Sequence, residues 1–292
     1  MILFRNVIFD TDIGCDCDDA VALAMINHYK NIGKAEVLAT TQTTSIKNGA
    51  NIISTINEFY GNSKIPIGCI STEKFLSDDS YDHYATSVVE KFGSKFNEYF
   101  DSIKLLRKQL STATDNSVTV IVVGPAKNIS LLLNSEPDEF SEYSGEELFN
   151  KKVSELYVMG GCFGPRAEEV HHCEYNIVMD IPGFQNMINK VTKPVYLVDF
   201  ETGCEVVIGE TLVDLYETNP VAFSYKEFNV RPSWDPLTVL AAFEPDMFEF
   251  IGGTINVMND GFTTFDKTIF SNHYLVKNKD KNESKKALEK ML

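Results

Sequence analysis

Five of the ten residues in DTDIGCDCDD, positions 10 to 19, are aspartates: Asp10, Asp12, Asp16, Asp18 and Asp19. Carboxylates this close raise one another's cost of ionisation, so a folded chain keeps such a cluster where a cation neutralises it. The side chains offer only hard oxygen donors and Gly14 lets the backbone turn sharply among them, which points to calcium or magnesium. Capping of a following helix accounts for Asp18 and Asp19, because acidic residues suit a helix N-terminus, but leaves the other three unexplained. His171, His172 and Cys173 suggest a softer metal. No CxxC or HxxxH partner completes that site, and an ordinary loop of polarisable side chains explains it as well.

These residues need elements to position them. Short runs rich in β-branched residues recur at Val7 to Phe9, Val37 to Thr41, Val118 to Val123, Leu156 to Met159 and Pro194 to Val198. Helical patterns lie between them over 18–31, 48–60, 86–110, 127–134 and 181–190. That alternation predicts an α/β fold with a largely parallel sheet, as a single domain over 1–292 with a lysine-rich surface helix at the end. In such sheets a ligand sits outside the carboxyl ends of the strands, and three polar clusters fall there: DTDIGCDCDD, GPAKN after Val123 and MGG after Tyr157.

Composition narrows the partners. With 26 basic and 42 acidic residues the formal charge is −16, which argues against nucleic acid or an anionic membrane. The first aspartate follows only nine residues, so neither a cleavable leader nor a bilayer-spanning run is expected and the chain reads as cytoplasmic. The six cysteines show no paired framework and are expected to be reduced.

The acidic stretch resembles the D-x-D-x-G-x-D-D-A signature of the inosine-uridine-preferring nucleoside hydrolases, with two extra residues ahead of Asp18-Asp19-Ala20. Further fragments follow in order. Gly124-Pro125-Ala126-Lys127-Asn128 is similar to that family's G-P-x-T-N, Met159-Gly160-Gly161 to its M-G-G, Glu174-Tyr175-Asn176 to its E-F-N, and Trp234-Asp235-Pro236 to its H-D-P.

The resemblance implies an open Rossmann-like core and a calcium ion held by Asp12, Asp19, the carbonyl of Lys127 and Asp235. It implies hydrolysis of the N-glycosidic bond of nucleosides, with Asp12 as general base and Asp18, Met159, Glu174, Asn176 and Trp234 around the substrate, in a homo-oligomer (dimer or tetramer). Asp235 before Pro236 equally fits a helix cap with proline at the first helical position. Glu174 and Asn176 equally fit a solvated loop. Trp234 stands where the family carries a histidine acid, and its indole N–H is no proton donor at neutral pH, so it either stacks on the base or belongs to the core. TTQTTSIKN lacks the family's Gly-Asn near the ribose, and Glu168 or Glu169 stands where its 5′-hydroxyl asparagine belongs. Two other readings follow: a calcium-dependent ligand-binding protein that has lost catalysis, and a haloacid dehalogenase-like phosphatase with Asp10 as nucleophile.

Overall fold

The computed structural model describes residues 4–71, 74–94 and 99–292. Its strands in chain order are β1 (Arg5–Thr11), β2 (Ala35–Gln42), β3 (Ile67–Cys69), β4 (Phe100–Asp101), β5 (Val118–Val122), β6 (Val153–Met159), β7 (Val195–Val198), β8 (Val207–Ile208), β9 (Arg231–Pro232), β10 (Phe248–Val257), β11 (Thr263–Lys267) and β12 (His273–Asn278). Ten of them form one sheet in the order β11-β10-β12-β7-β6-β5-β1-β2-β3-β4, and β8 pairs with β9 separately. The sheet is parallel from β4 through to β12, and β10 and β11 add an antiparallel edge.

Both sheet faces are covered, as continuous apolar strands require. Successive β1 side chains alternate between two cores. Val7 and Phe9 join the core under the helices Asp18–Asn31 and Trp234–Phe243, while Ile8 joins the one containing Leu106, Ile129 and Phe149. The five strands expected from the sequence are present as β1, β2, β5, β6 and β7. The helix expected over 86–110 is instead two helices, Ala85–Phe92 and Ser102–Thr112. Gly93, at φ 79°, ends the first in the left-handed region that glycine alone enters freely, and Asp101 starts the second by accepting the Lys104 N–H at 2.9 Å.

The chain runs outward from β1 through β2, β3 and β4, then returns to place β5 on the other side of β1. Strand order therefore reverses between β1 and β5, the position at which a doubly wound sheet opens a crevice. The acidic turn leaves β1 at that point.

Candidate active site

A cavity of about 460 Å³ opens at this switch point, and Asp12, Asp16, Asp18, Asp19, Glu174, Asn176, Trp234 and Asp235 are among the residues that line it. Its floor forms because β5 approaches β1 closely. A Cβ at Gly124 would lie 2.7–3.0 Å from Asp12 atoms, so any side chain there collides with the acidic turn. Gly14, at φ 124°, supplies the bend, and Tyr84 pins it by accepting the Gly14 N–H at 3.2 Å and donating to the Asp16 carbonyl at 2.7 Å.

Asp18, Asp19 and Asp235 each bring a carboxylate oxygen within 4.8 Å of the others, and all three are buried. The helix begins at Asp18 with Cys17 as its cap residue, so neither Asp18 nor Asp19 serves as the cap. The helix Trp234–Phe243 likewise caps at Ser233, which puts Asp235 inside the first turn and removes the capping alternative for it. The Asp235 N–H instead donates to Asp18 Oδ2 at 3.0 Å, tying the two ends of the chain together. Thr11 Oγ donates to Asp19. Burial, followed by repulsion from Asp18, Asp19 and Asp12, holds the Asp235 carboxyl well above the usual carboxylate range. Asp18 and Asp19 are raised in the same way, first by burial and then by their acidic neighbours.

Asp12 is pushed up to about 7 by burial and, more weakly, by Asp16, Asp10 and Glu174. Glu174 is also pushed up to about 7 by burial, against the pull of backbone N–H groups of Asn176, Gly161 and Ile177. It caps the helix Tyr175–Met179, and Asn176 donates to the Val123 carbonyl at 2.9 Å and to Met159 Sδ at 3.2 Å. Both residues are buried, so the solvated-loop alternative does not hold. Met159 lines the cavity beside them.

Trp234 satisfies parts of both readings. Its indole N–H donates to the Phe200 carbonyl at 3.0 Å, and its ring stacks on Phe200 at 5.6 Å, yet it also lines the cavity.

Lys127 is not among the residues that line the cavity. It begins the helix Lys127–Leu133, a turn beyond the strand end, and its ammonium lies 5.4 Å from the centre of the Phe75 ring. The residue of that turn on the cavity wall is Val123. Asp10 is also outside the lining. It is fully buried and accepts from Thr41, from Thr43 at 2.9 Å and from Asn128 at 2.7 Å, so it cannot serve as a nucleophile toward a substrate in the cavity. The strand-two threonines thus support Asp10 from beneath. Glu169 is exposed and away from the cavity, and the side chain of Glu168 lies outside the described residues. Cys15, Cys17, Cys69 and Cys173 are free thiols. His171 is exposed and paired with Asp260, whereas His172 and Cys173 line the cavity with no soft-ligand partner set around them among the described residues.

Six lining residues carried no sequence signal: His83, Val178, Met179, Phe200, Phe228 and Arg231. Only Arg231 could have been anticipated, because Asp16 sits in the two inserted positions and required a counter-charge. Arg231 supplies it through Nε, 2.9 Å from both carboxylate oxygens, and through Nη2.

A largely parallel, doubly wound sheet thus gathers buried carboxylates at its switch point. The model of the inosine-uridine preferring nucleoside hydrolase family matches residues 7–290, and the chain belongs to that family. It is 22% identical to the pyrimidine-specific ribonucleoside hydrolase RihA of Citrobacter koseri over 94% of this chain and 90% of that one. It is 24% identical to RihA of Enterobacter sp. (strain 638) over 61% of this chain, a match that spans only 56% of that relative's length. The inosine-uridine preferring nucleoside hydrolase from Bacillus anthracis shares the fold with a TM-score of 0.76, at 15% identity and over 99% of both chains.

Proposed function

We propose that the protein is a calcium-dependent ribonucleoside hydrolase that cleaves the N-glycosidic bond to release base and ribose. The observation that carries this reading is the set of three buried carboxylates, Asp18, Asp19 and Asp235, meeting in a cavity that Asp12, Glu174, Asn176 and Trp234 also line. Their donors are all hard oxygens, and burial together with their mutual repulsion disfavours the charged forms, so the residues fit a divalent cation of the calcium or magnesium type. Asp12, Asp19 and Asp235 would hold it, with Asp18 alongside and the Val123 carbonyl in place of that of Lys127. Bound there, calcium supplies the charge that neutralises the cluster and polarises water.

The chain's own residues account for the rest. Asp12, beside that site, is the base and takes the proton of the attacking water. Asp18, Glu174 and Asn176 accept and donate to ribose hydroxyls and fix the sugar over Met159. The anionic wall stabilises the oxocarbenium-like sugar as the bond breaks. Trp234 offers an aromatic face to the base. The family match and the named hydrolases support this reading, and the free thiols of Cys15, Cys17, Cys69 and Cys173 suit a reducing, cytoplasmic setting.

The test is ribose release from a panel of purine and pyrimidine ribonucleosides with and without chelator. Release that chelator abolishes and calcium restores is the expected result. Calcium binding with no release from any nucleoside would replace the hydrolase reading with a ligand-binding one, which the altered strand-two loop favours.

A further inference from the structure

We propose that Arg231 activates the departing base, and that Asp16 is the positioning residue that aims it. The proposal rests on the hydrolase reading above. Asp16 belongs to the two residues inserted in the acidic turn, and its carboxylate clamps the Arg231 guanidinium through Nε, at 2.9 Å to both oxygens, and through Nη2. The guanidinium carbon lies 5.2 Å from the Trp234 ring and 5.7 Å from the Phe228 ring. Pairing of β9 with β8, Ile208 opposite Arg231, fixes the backbone beneath it. Arg231, Trp234 and Phe228 all line the cavity, and Nη1 makes no hydrogen bond among the described residues. A planar cation is thus stacked, clamped and left with free donors where the base departs.

Trp234 cannot protonate a leaving base, and neither can arginine, which stays charged at any relevant pH. Arginine can stabilise the charge instead. The glycosidic C–N bond breaks with its electron pair passing to the base nitrogen, while the water oxygen bonds to the sugar carbon and its proton goes to Asp12. The base departs as an anion that takes a proton from solvent afterwards. A charge-assisted N–H donor aimed at the ring nitrogen or at the neighbouring acceptor of the base stabilises that anion in the transition state. The inserted Asp16 therefore offsets the missing histidine by holding a fixed donor.

The experiment compares Arg231→Met and Asp16→Asn with the parent chain on uridine, inosine and 4-nitrophenyl riboside, whose leaving group is stable as an anion without help. Arg231→Met should lower kcat on both nucleosides by roughly 100-fold and leave 4-nitrophenyl riboside within roughly three-fold, the pattern of a lost transition-state donor. Asp16→Asn should show the same selectivity with a smaller loss, because the guanidinium remains but is no longer held. Turnover of the activated riboside reports a folded, metal-loaded site in each variant. Equal losses on all three substrates, no loss on the nucleosides, or the selective loss appearing in His83→Asn or His172→Asn instead would overturn the proposal. A parent chain that cleaves none of the three would remove the hydrolase reading itself, and this proposal with it.

Discussion

In the proposed reaction Asp12 would serve as both metal ligand and general base. In the metal-free chain burial raises its carboxyl to about 7, and a bound cation would favour its ionised form. Asp12→Asn keeps the size and one oxygen. It should retain part of the calcium while kcat falls by roughly 100-fold or more, measured beside metal content on the same sample. Near-normal turnover would move the base role to another lining carboxylate, and not to Asp10, which three hydrogen-bond donors and full burial take out of reach. At Trp234 the indole N–H bond to Phe200 and the place of the ring in the cavity wall make separable predictions. Trp234→Phe should keep the stacking surface and much of the rate. Trp234→Ala should lose rate on nucleosides and also lower the melting temperature, since the cavity left in a partly buried aromatic cluster costs about 3 to 5 kcal/mol at most. An Ala variant with unchanged rate per folded molecule would assign the residue to packing alone.

The elements matter through two strand ends. β1 carries the acidic turn and β5 abuts it, with Gly124 admitting no Cβ next to Asp12. Gly124→Ala should therefore push Asp12 aside and cut both turnover and calcium affinity at least ten-fold, a loss expected from a change that adds one methyl group to a site requiring tight geometry; unaltered kinetics in that variant would show that the close approach is dispensable. This architecture was largely legible beforehand. β-branched runs separated by helical periodicity mark β1, β2, β5, β6 and β7, and polar clusters after three of them mark the site. The antiparallel edge of β10 and β11 was not, because half-exposed strands such as TTFDK carry little apolar signal. The break after Phe92 hinges on one glycine within an otherwise helical pattern. Lys127 was assigned by aligning a motif, which cannot tell which carbonyl of a turn faces a cavity. Arg231, Phe228 and His83 join the aspartates around the cavity only through tertiary folding, so no spacing within the sequence announces them.

For the molecule as a whole, the buried cluster is a source of instability that a bound cation would remove. Asp10, at about 6, and Asp12 and Glu174, at about 7, lie above the ordinary carboxylate range, so the metal-free folded chain binds more protons than the unfolded one between pH ~4 and ~7. The slope of stability with pH is then negative. The chelator-treated protein should lose melting temperature as pH rises through that window, and calcium should flatten the profile, because the ion binds only the folded state. A metal-free protein that grows more stable from pH 4 to 7 would contradict the burial of ionisable carboxyls on which this expectation rests. Among the described residues no helix is long and apolar enough to cross a membrane. Asp19→Ala should abolish the calcium effect and lower the melting temperature in calcium to that of the chelated parent.

The most direct measurement is a titration of calcium into the chelator-stripped protein, recording bound calcium and ribose release from uridine and inosine in the same samples. Occupancy and rate should rise together and level off at one calcium per chain. Full activity in the stripped protein, or a site that fills without any release of ribose, would contradict the assignment of the aspartate cluster as the metal centre of a nucleoside hydrolase.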